Sequence, residues 1–208
     1  MISIIDYGAG NLKSVQKAFA HIGCDAVVAS QPSRILSSDA VVLPGVGAFA
    51  DAMKALRDRG LDEIVKQVVY DGMPFLGICL GLQLLFEYSE EGGGKEKGLG
   101  IFKGCIKYIN VPDDLKVPHM GWNCLDIKKE SPLFNNMEEK PFVYFVHSYC
   151  LHSEDRNIVA ATCTYGETFD AAISEKNVCA VQFHPEKSGQ TGINILKNWL
   201  KNVAGVIK

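Results

Sequence analysis

Four apolar stretches recur through the first half of the chain: ISIID, AVV, AVVLPG and PFLGIC. LKSVQKAFAHIG follows the first, a short SRILS turn the second, AFADAMKALRDRG and LDEIVKQVVYDG the third, and LGLQLLFEYS the fourth. Strands alternating with amphipathic helices return parallel to one another, with the helices on the faces of the sheet. The rhythm predicts an α/β fold, a three-layer open sheet with a parallel core. Beyond EEGGGKEKG, whose triple glycine at 92–94 reads as a mobile loop, the pattern changes. CIKYINV, WNCLDI, FVYFVHSYC, IVAATCT, FDAAIS and VCAVQF read as strands between turns, which makes the sheet mixed, with antiparallel additions at its edge. GQTGINILKNWLKNVAG closes the chain as a helix whose Ile193, Leu196, Trp199 and Leu200 face the sheet. A single domain over 1–208 accommodates all of this.

The net charge of -3 outlines neither a nucleic-acid footprint nor a basic membrane-binding face, and 47% hydrophobic residues suffice for a substantial core. MISIIDYG reads directly as a strand, with no charged leader or long apolar run, so a cytoplasmic location is expected. Seven cysteines, an odd number without a CxxC pair, argue against a disulfide framework and a zinc ribbon. His147, Cys150 and His152 sit close together in strand-like sequence without a fourth ligand nearby, so no metal is expected.

The residues Gly77-Ile78-Cys79-Leu80-Gly81 have the form of a nucleophile elbow, with cysteine in the reactive position. A strand, a tight turn and a helix start present the sulfur at the C-terminal edge of a parallel sheet, where open α/β folds bind ligands, and a helix N-terminus favours the thiolate. A base is found in His184-Pro185-Glu186, after the apolar run AVQF: an extended segment projects His184 and Glu186 to the same side. By itself that segment reads equally well as a strand end followed by a solvated charge. With Cys79 it completes a Cys-His-Glu set. Leu43-Pro44-Gly45-Val46-Gly47 is a second glycine-bearing strand-to-helix turn. Backbone N–H groups there, at Gly47, and at Leu80 after the nucleophile, suit an oxyanion. Gln83 and Glu87, four-residue steps from Cys79 on the expected helix, fall on one stripe and could line a pocket.

Two nucleotide motifs fail. Gly8-Ala9-Gly10 is followed by Lys13 where a dinucleotide fingerprint needs its third glycine, and GGGKEKG lacks the spacing of a P-loop. No cofactor is implied.

Taken together, the motifs resemble the class I glutamine amidotransferases, whose glutaminase domains carry a Cys-His-Glu triad on G-x-C-x-G and HPE. The narrower likeness is to the branch serving histidine biosynthesis, the glutaminase subunits of imidazole glycerol phosphate synthases. It rests on IIDYGAGNLKSV, LPGVGAF, GICLGLQLLFE, GLGIFKG, VPHMGWN, YFVHSY and VQFHPEKSGQTGINILKNW and covers nearly the whole chain. The resemblance implies Cys79 as nucleophile, His184 as general base and acid, and Glu186 as the group that holds the imidazole. It implies Gly47 and Leu80 as oxyanion donors, and L-glutamine contacts at Gln83, Glu87, His147, Ser148 and Tyr149. The partner it implies is a (βα)8-barrel cyclase, contacted through Asn11, Trp122, Asn123, Tyr144 and Lys187. Other readings are a glutaminase subunit of a different pathway, a free-standing cysteine peptidase or γ-glutamyl hydrolase, and a non-catalytic binding module.

Overall fold

The computed structural model describes residues 1–205; the last three positions of the domain expected over 1–208 lie outside the described residues. Its first half follows the sequence rhythm: β1 (Ile2–Ile5), α1 (Leu12–His21), β2 (Ala26–Ala29), α2 (Pro32–Leu36), β3 (Ala40–Gly45), α3 (Phe49–Asp58), α4 (Leu61–Tyr70), β4 (Phe75–Cys79) and α5 (Leu80–Gln83). SRILS, expected as a turn, belongs to a short helix begun by Pro32, a residue already shaped for a first helical position. The second half supplies β5 (Tyr88–Ser89), β6 (Glu96–Lys97), β7 (Gly104–Tyr108), β8 (His119–Cys124), β9 (Asp126–Ile127), β10 (Phe142–His147), β11 (Tyr149–Ser153), β12 (Val159–Tyr165), β13 (Glu167–Glu175), β14 (Val178–Val181) and α6 (Gly189–Asn202).

The main sheet runs β2-β1-β3-β4-β14-β13-β11-β7-β5-β6, with β12 paired to β13 and β9. From β2 to β14 all pairs are parallel; β13, β11 and β7 then continue it antiparallel, as expected of the edge. Successive strand residues face opposite cores. Val42, Leu76 and Cys179 join α1 and α6 on one face, while Val41, Phe75 and Ala180 join α3 and α4 on the other. Phe19 of α1 meets Trp199 of α6 edge-on at 6.0 Å, locking the first of these layers.

Three further expectations are corrected. WNCLDI divides between β8, which pairs with β10, and β9, which joins β12 of the main sheet. LGLQLLFEYS does not continue as a helix past α5. The carbonyls that would propagate it are taken by the chain beyond the loop: Leu84 O accepts from Leu99 N–H, Leu85 O from Ile101 N–H, and Glu87 O from Gly98 N–H, each at 2.9 Å. FVYFVHSYC is not one strand but two. It breaks at Ser148, so that β10 pairs with β8 in a separate two-stranded ribbon while β11 stays in the main sheet. The triple glycine lies in a 3-10 turn over Glu91–Gly93 and the loop after it, with Gly92 and Gly93 at positive φ.

Candidate functional site

Cys79 ends β4 and precedes α5, with φ 54° and ψ -110°, a conformation that a side chain tolerates only when its surroundings enforce it. The flanking glycines provide that. A Cβ at Gly81 would collide with the carbonyl oxygen of Leu43, and one at Gly77 would sit 2.8 Å from the carbonyl oxygen of Gly81. Strand and helix therefore approach closely enough to turn the sulfur toward a cavity of about 440 Å³ at the C-terminal end of the parallel strands.

His184 reaches the same cavity from the end of the neighbouring strand β14. It is extended, but Pro185–Lys187 form a 3-10 turn, so His184 and Glu186 meet around a turn and not along a straight strand. Nδ1 lies 2.8 Å from Oε1 of Glu186, and both side chains are almost sealed from solvent. Burial disfavours the imidazolium, yet Cys79 and Glu186 more than offset this and raise the pKa of His184 to about 10. Its Nε2 makes no hydrogen bond within the protein, and His184 lines the same cavity as Cys79.

Gly47, at φ 98°, and Leu80 line the cavity beside Cys79, as do Gln83, His147, Ser148 and Tyr149. Glu87 does not. With the helix ended at Gln83, its carboxylate turns away and accepts from the N–H of Gly104 at 3.0 Å. Glu91 lines the cavity instead, its Oε2 held 2.7 Å from the N–H of Phe49 at the start of α3. Sequence reasoning missed Glu91 as a site residue; the only local signal was its place beside glycines able to fold the turn back.

His147 is tied up within the protein. A carbonyl can only accept, so Nδ1–H of His147 donates to Tyr149 O at 3.0 Å, and Nε2 accepts from His119 Nδ1–H at 3.0 Å. Burial lowers the pKa of His119 to about 4; burial, and then His119, lower that of His147 to about 3.

The five residues expected at a partner surface sit on three segments: the β8–β10 ribbon, the turn over Pro185–Lys187 and the start of α1. Trp122 and Tyr144 are cross-strand neighbours on the β8–β10 ribbon, their rings at 6.2 Å, and the Lys187 ammonium lies 5.9 Å from the Tyr144 ring. Asn123 is half-buried, its amide donating to Thr164 O at 3.0 Å. Asn11 is the half-buried residue preceding α1. Elsewhere, Cys150, His152 and Glu167 bring donor atoms within 4.8 Å of one another. Burial, and then Glu167, push the Cys150 thiol up, so it keeps its proton and pairs with His152 at 3.6 Å. No helix among the described residues is long and apolar enough to cross a membrane.

A family model for class-I glutamine amidotransferases matches residues 3–203. A protein of Syntrophotalea carbinolica named imidazole glycerol phosphate synthase subunit HisH is 52% identical over 206 residues, covering 96% of this chain and 98% of its own. The proteins of the same name from Thermosynechococcus vestitus and Oceanobacillus iheyensis are 51% and 49% identical, each over 96% of this chain and 95% and 98% of their own lengths. Among solved structures, one described as a glutamine amidotransferase superposes with a TM-score of 0.75 at 17% identity over 99% of both chains. PurLQS from Thermotoga maritima gives 0.72 at 17% identity over 96% of this chain and 97% of its own, a likeness of fold. On these matches, with the elbow and the paired His184 and Glu186 at one cavity, the chain belongs to the class-I glutamine amidotransferases, in one family with the HisH subunits of imidazole glycerol phosphate synthase.

Proposed function

We propose that this chain is the glutaminase subunit of an imidazole glycerol phosphate synthase, one amidotransferase domain over 1–208 that works in the cytoplasm without a cofactor. The observation that carries this is the meeting of Cys79 with the His184–Glu186 pair at the ends of adjacent parallel strands, around a cavity of a size that suits a free amino acid.

The sulfur of Cys79 attacks the side-chain carboxamide of L-glutamine, and the N–H groups of Gly47 and Leu80 receive the oxyanion. His184, whose raised pKa keeps the imidazole protonated at neutral pH, gives its proton to the departing ammonia. The imidazole then takes a proton from the water that hydrolyses the thioester to glutamate. Glu186 holds the Nδ1–H, so that Nε2 is the nitrogen that serves the sulfur. Glu91 takes the place expected of Glu87: its carboxylate at the cavity wall suits the ammonium of the substrate, while Gln83, Ser148 and Tyr149 line the rest.

Ammonia freed into neutral water is protonated and lost as a nucleophile, so its acceptor site belongs on a second chain docked over the cavity. That partner is a (βα)8-barrel cyclase, which uses the ammonia to make imidazole glycerol phosphate and aminoimidazole carboxamide ribonucleotide. Trp122, Tyr144 and Lys187 are the docking residues, joined by Asn11 and Asn123 at the rim. The test is glutamate production from glutamine by the chain alone, with the cyclase, and with the cyclase and its ribonucleotide ligand. Activity that grows with each addition and vanishes in Cys79→Ala is expected; full activity of the chain alone overturns the reading.

A further inference from the structure

Gln182 is wholly buried yet does not line the cavity. It lies one residue beyond the last paired position of β14, where Val181 faces Ile78, which sets it beside Cys79. Its Nε2 donates to Sγ of Cys79 at 3.7 Å, and its Oε1 accepts from Nε2 of Gln83 at 3.0 Å.

The orientation of this amide is not free. Tyr149 O, a backbone carbonyl, can only accept, so the nitrogen of Gln83 must face it, at 2.9 Å; the same nitrogen then meets Gln182. Gln182 must answer with its oxygen, and its NH2 is left pointing at the sulfur. Reversing the amide would oppose two nitrogens and aim an oxygen at Sγ. A buried amide donor next to a sulfur discriminates between its two forms, since a thiol is a weak acceptor and a thiolate a charged one.

We infer that Gln182 is a further catalytic residue of this site: its side-chain amide, fixed by Gln83, donates to the sulfur of Cys79 from behind the cavity wall and stabilises it as the thiolate. The inference rests on the reading of Cys79 as the nucleophile. It gives the sulfur a second polar partner, so that His184 does not hold the attacking form alone, and it ties that form to the substrate wall through Gln83 and the Tyr149 carbonyl. It also stabilises the sulfur when it leaves again as the thioester is hydrolysed.

The test compares the wild-type chain with Gln182→Met, which removes the donor at similar size, and Gln182→Glu, which keeps the acceptor for Gln83 but turns an oxygen toward the sulfur. Alkylation of Cys79 by iodoacetamide, located by peptide mass and with Cys79→Ala as control, is followed from roughly pH 5 to pH 10. Near neutral pH the rate is expected to fall about tenfold in Gln182→Met, and further in Gln182→Glu, and to recover to the wild-type rate at the alkaline end. With the cyclase present, kcat for glutamate is expected to fall about 10- to 100-fold while KM stays within about threefold.

Lowered thermal stability with an unchanged alkylation profile would make Gln182 a packing residue and overturn the inference. Alkylation needs neither glutamine nor partner, so a chain that makes no glutamate refutes the proposed function while the alkylation comparison still decides on Gln182. Should neither variant fold, the side-chain amide resonances of Gln182 in the otherwise wild-type chain decide. They are expected to move on Cys79→Ala and as the thiol titrates; indifference to both overturns the inference.

Discussion

The Nδ1 of His184 and the Oε1 of Glu186 stand 2.8 Å apart, with side-chain exposures of 2% and 1%. A carboxylate sealed against one imidazole nitrogen fixes the tautomer and dedicates the other nitrogen to chemistry. Glu186→Gln keeps the shape but can offer its amide nitrogen to Nδ1 and reverse the ring's proton. It is expected to lower kcat for glutamate about 100-fold or more with KM little changed, as steady-state kinetics with the cyclase will read.

Glu91 and Glu87 make a matched pair, one on the cavity wall and the other four residues earlier with its carboxylate bonded to Gly104 N–H. Glu91→Gln is expected to raise KM for glutamine about 10- to 100-fold, because it deprives the substrate ammonium of a charged partner. Glu87→Gln is expected to leave KM unchanged and to cost about 1 kcal/mol in urea unfolding. Equal effects on KM would show that the helix stripe, and not the folded-back turn, describes the pocket.

The elbow depends on Gly81. Gly81→Ala drives a methyl into the Leu43 carbonyl, which belongs to β3 and cannot swing aside as a side chain would. A loss of about 3 kcal/mol is expected in urea unfolding, together with loss of glutaminase activity in whatever remains folded.

The buried histidines give stability a pH dependence with two limbs. His119 and His147 bind protons more weakly folded than unfolded, where a histidine titrates near pH 6.5. Their contribution is whole above that value and is lost as pH falls toward about 4 and about 3. His184 binds its proton more tightly when folded, so its contribution is whole below about pH 6.5 and is lost as pH rises toward about 10. Urea midpoints across the pH range are expected to decline on both sides; His119→Gln should flatten the acid limb and His184→Asn the alkaline one.

Trp122 is 55% exposed on the ribbon, an aromatic ring with its edge against Tyr144 and most of one side in water. Trp122→Ala is expected to weaken cyclase binding about 10- to 100-fold by calorimetry, while the chain's own unfolding midpoint shifts little.

The first half of this fold was legible because its information is local. Runs such as AVVLPG and PFLGIC are apolar on both faces, as strands sandwiched between helices must be, and the elbow advertises itself through two glycines that the backbone requires. Reading failed where a distant segment decided the outcome. LGLQLLFEYS is a sound helix by composition, and only the arrival of residues 98–102 at its carbonyls ends it early. The break at Ser148 carries no glycine or proline, because it is set by which sheet each half joins. Glu91 reaches the cavity through a loop closed from both sides, and Gln182 looks like one more residue of a buried strand. His184-Pro185-Glu186 suggests an extended segment with both side chains on one side, whereas a 3-10 turn is what brings the two together.

The ribbon that carries Trp122 and Tyr144 has its own pairing, apart from the main sheet, but it is stitched to the turn beneath it. The N–H of His184 donates to the carbonyl of Tyr144 at 2.9 Å, and Ser188 Oγ bridges the two segments, accepting from Tyr144 N–H at 2.9 Å and donating to His184 O at 2.6 Å. The residue proposed to greet another protein and the residue proposed to carry the proton thus share one backbone seam. A shift of the outward ring's backbone would pass straight to that of the imidazole, so a partner's grip and the proton carrier rest on the same three hydrogen bonds.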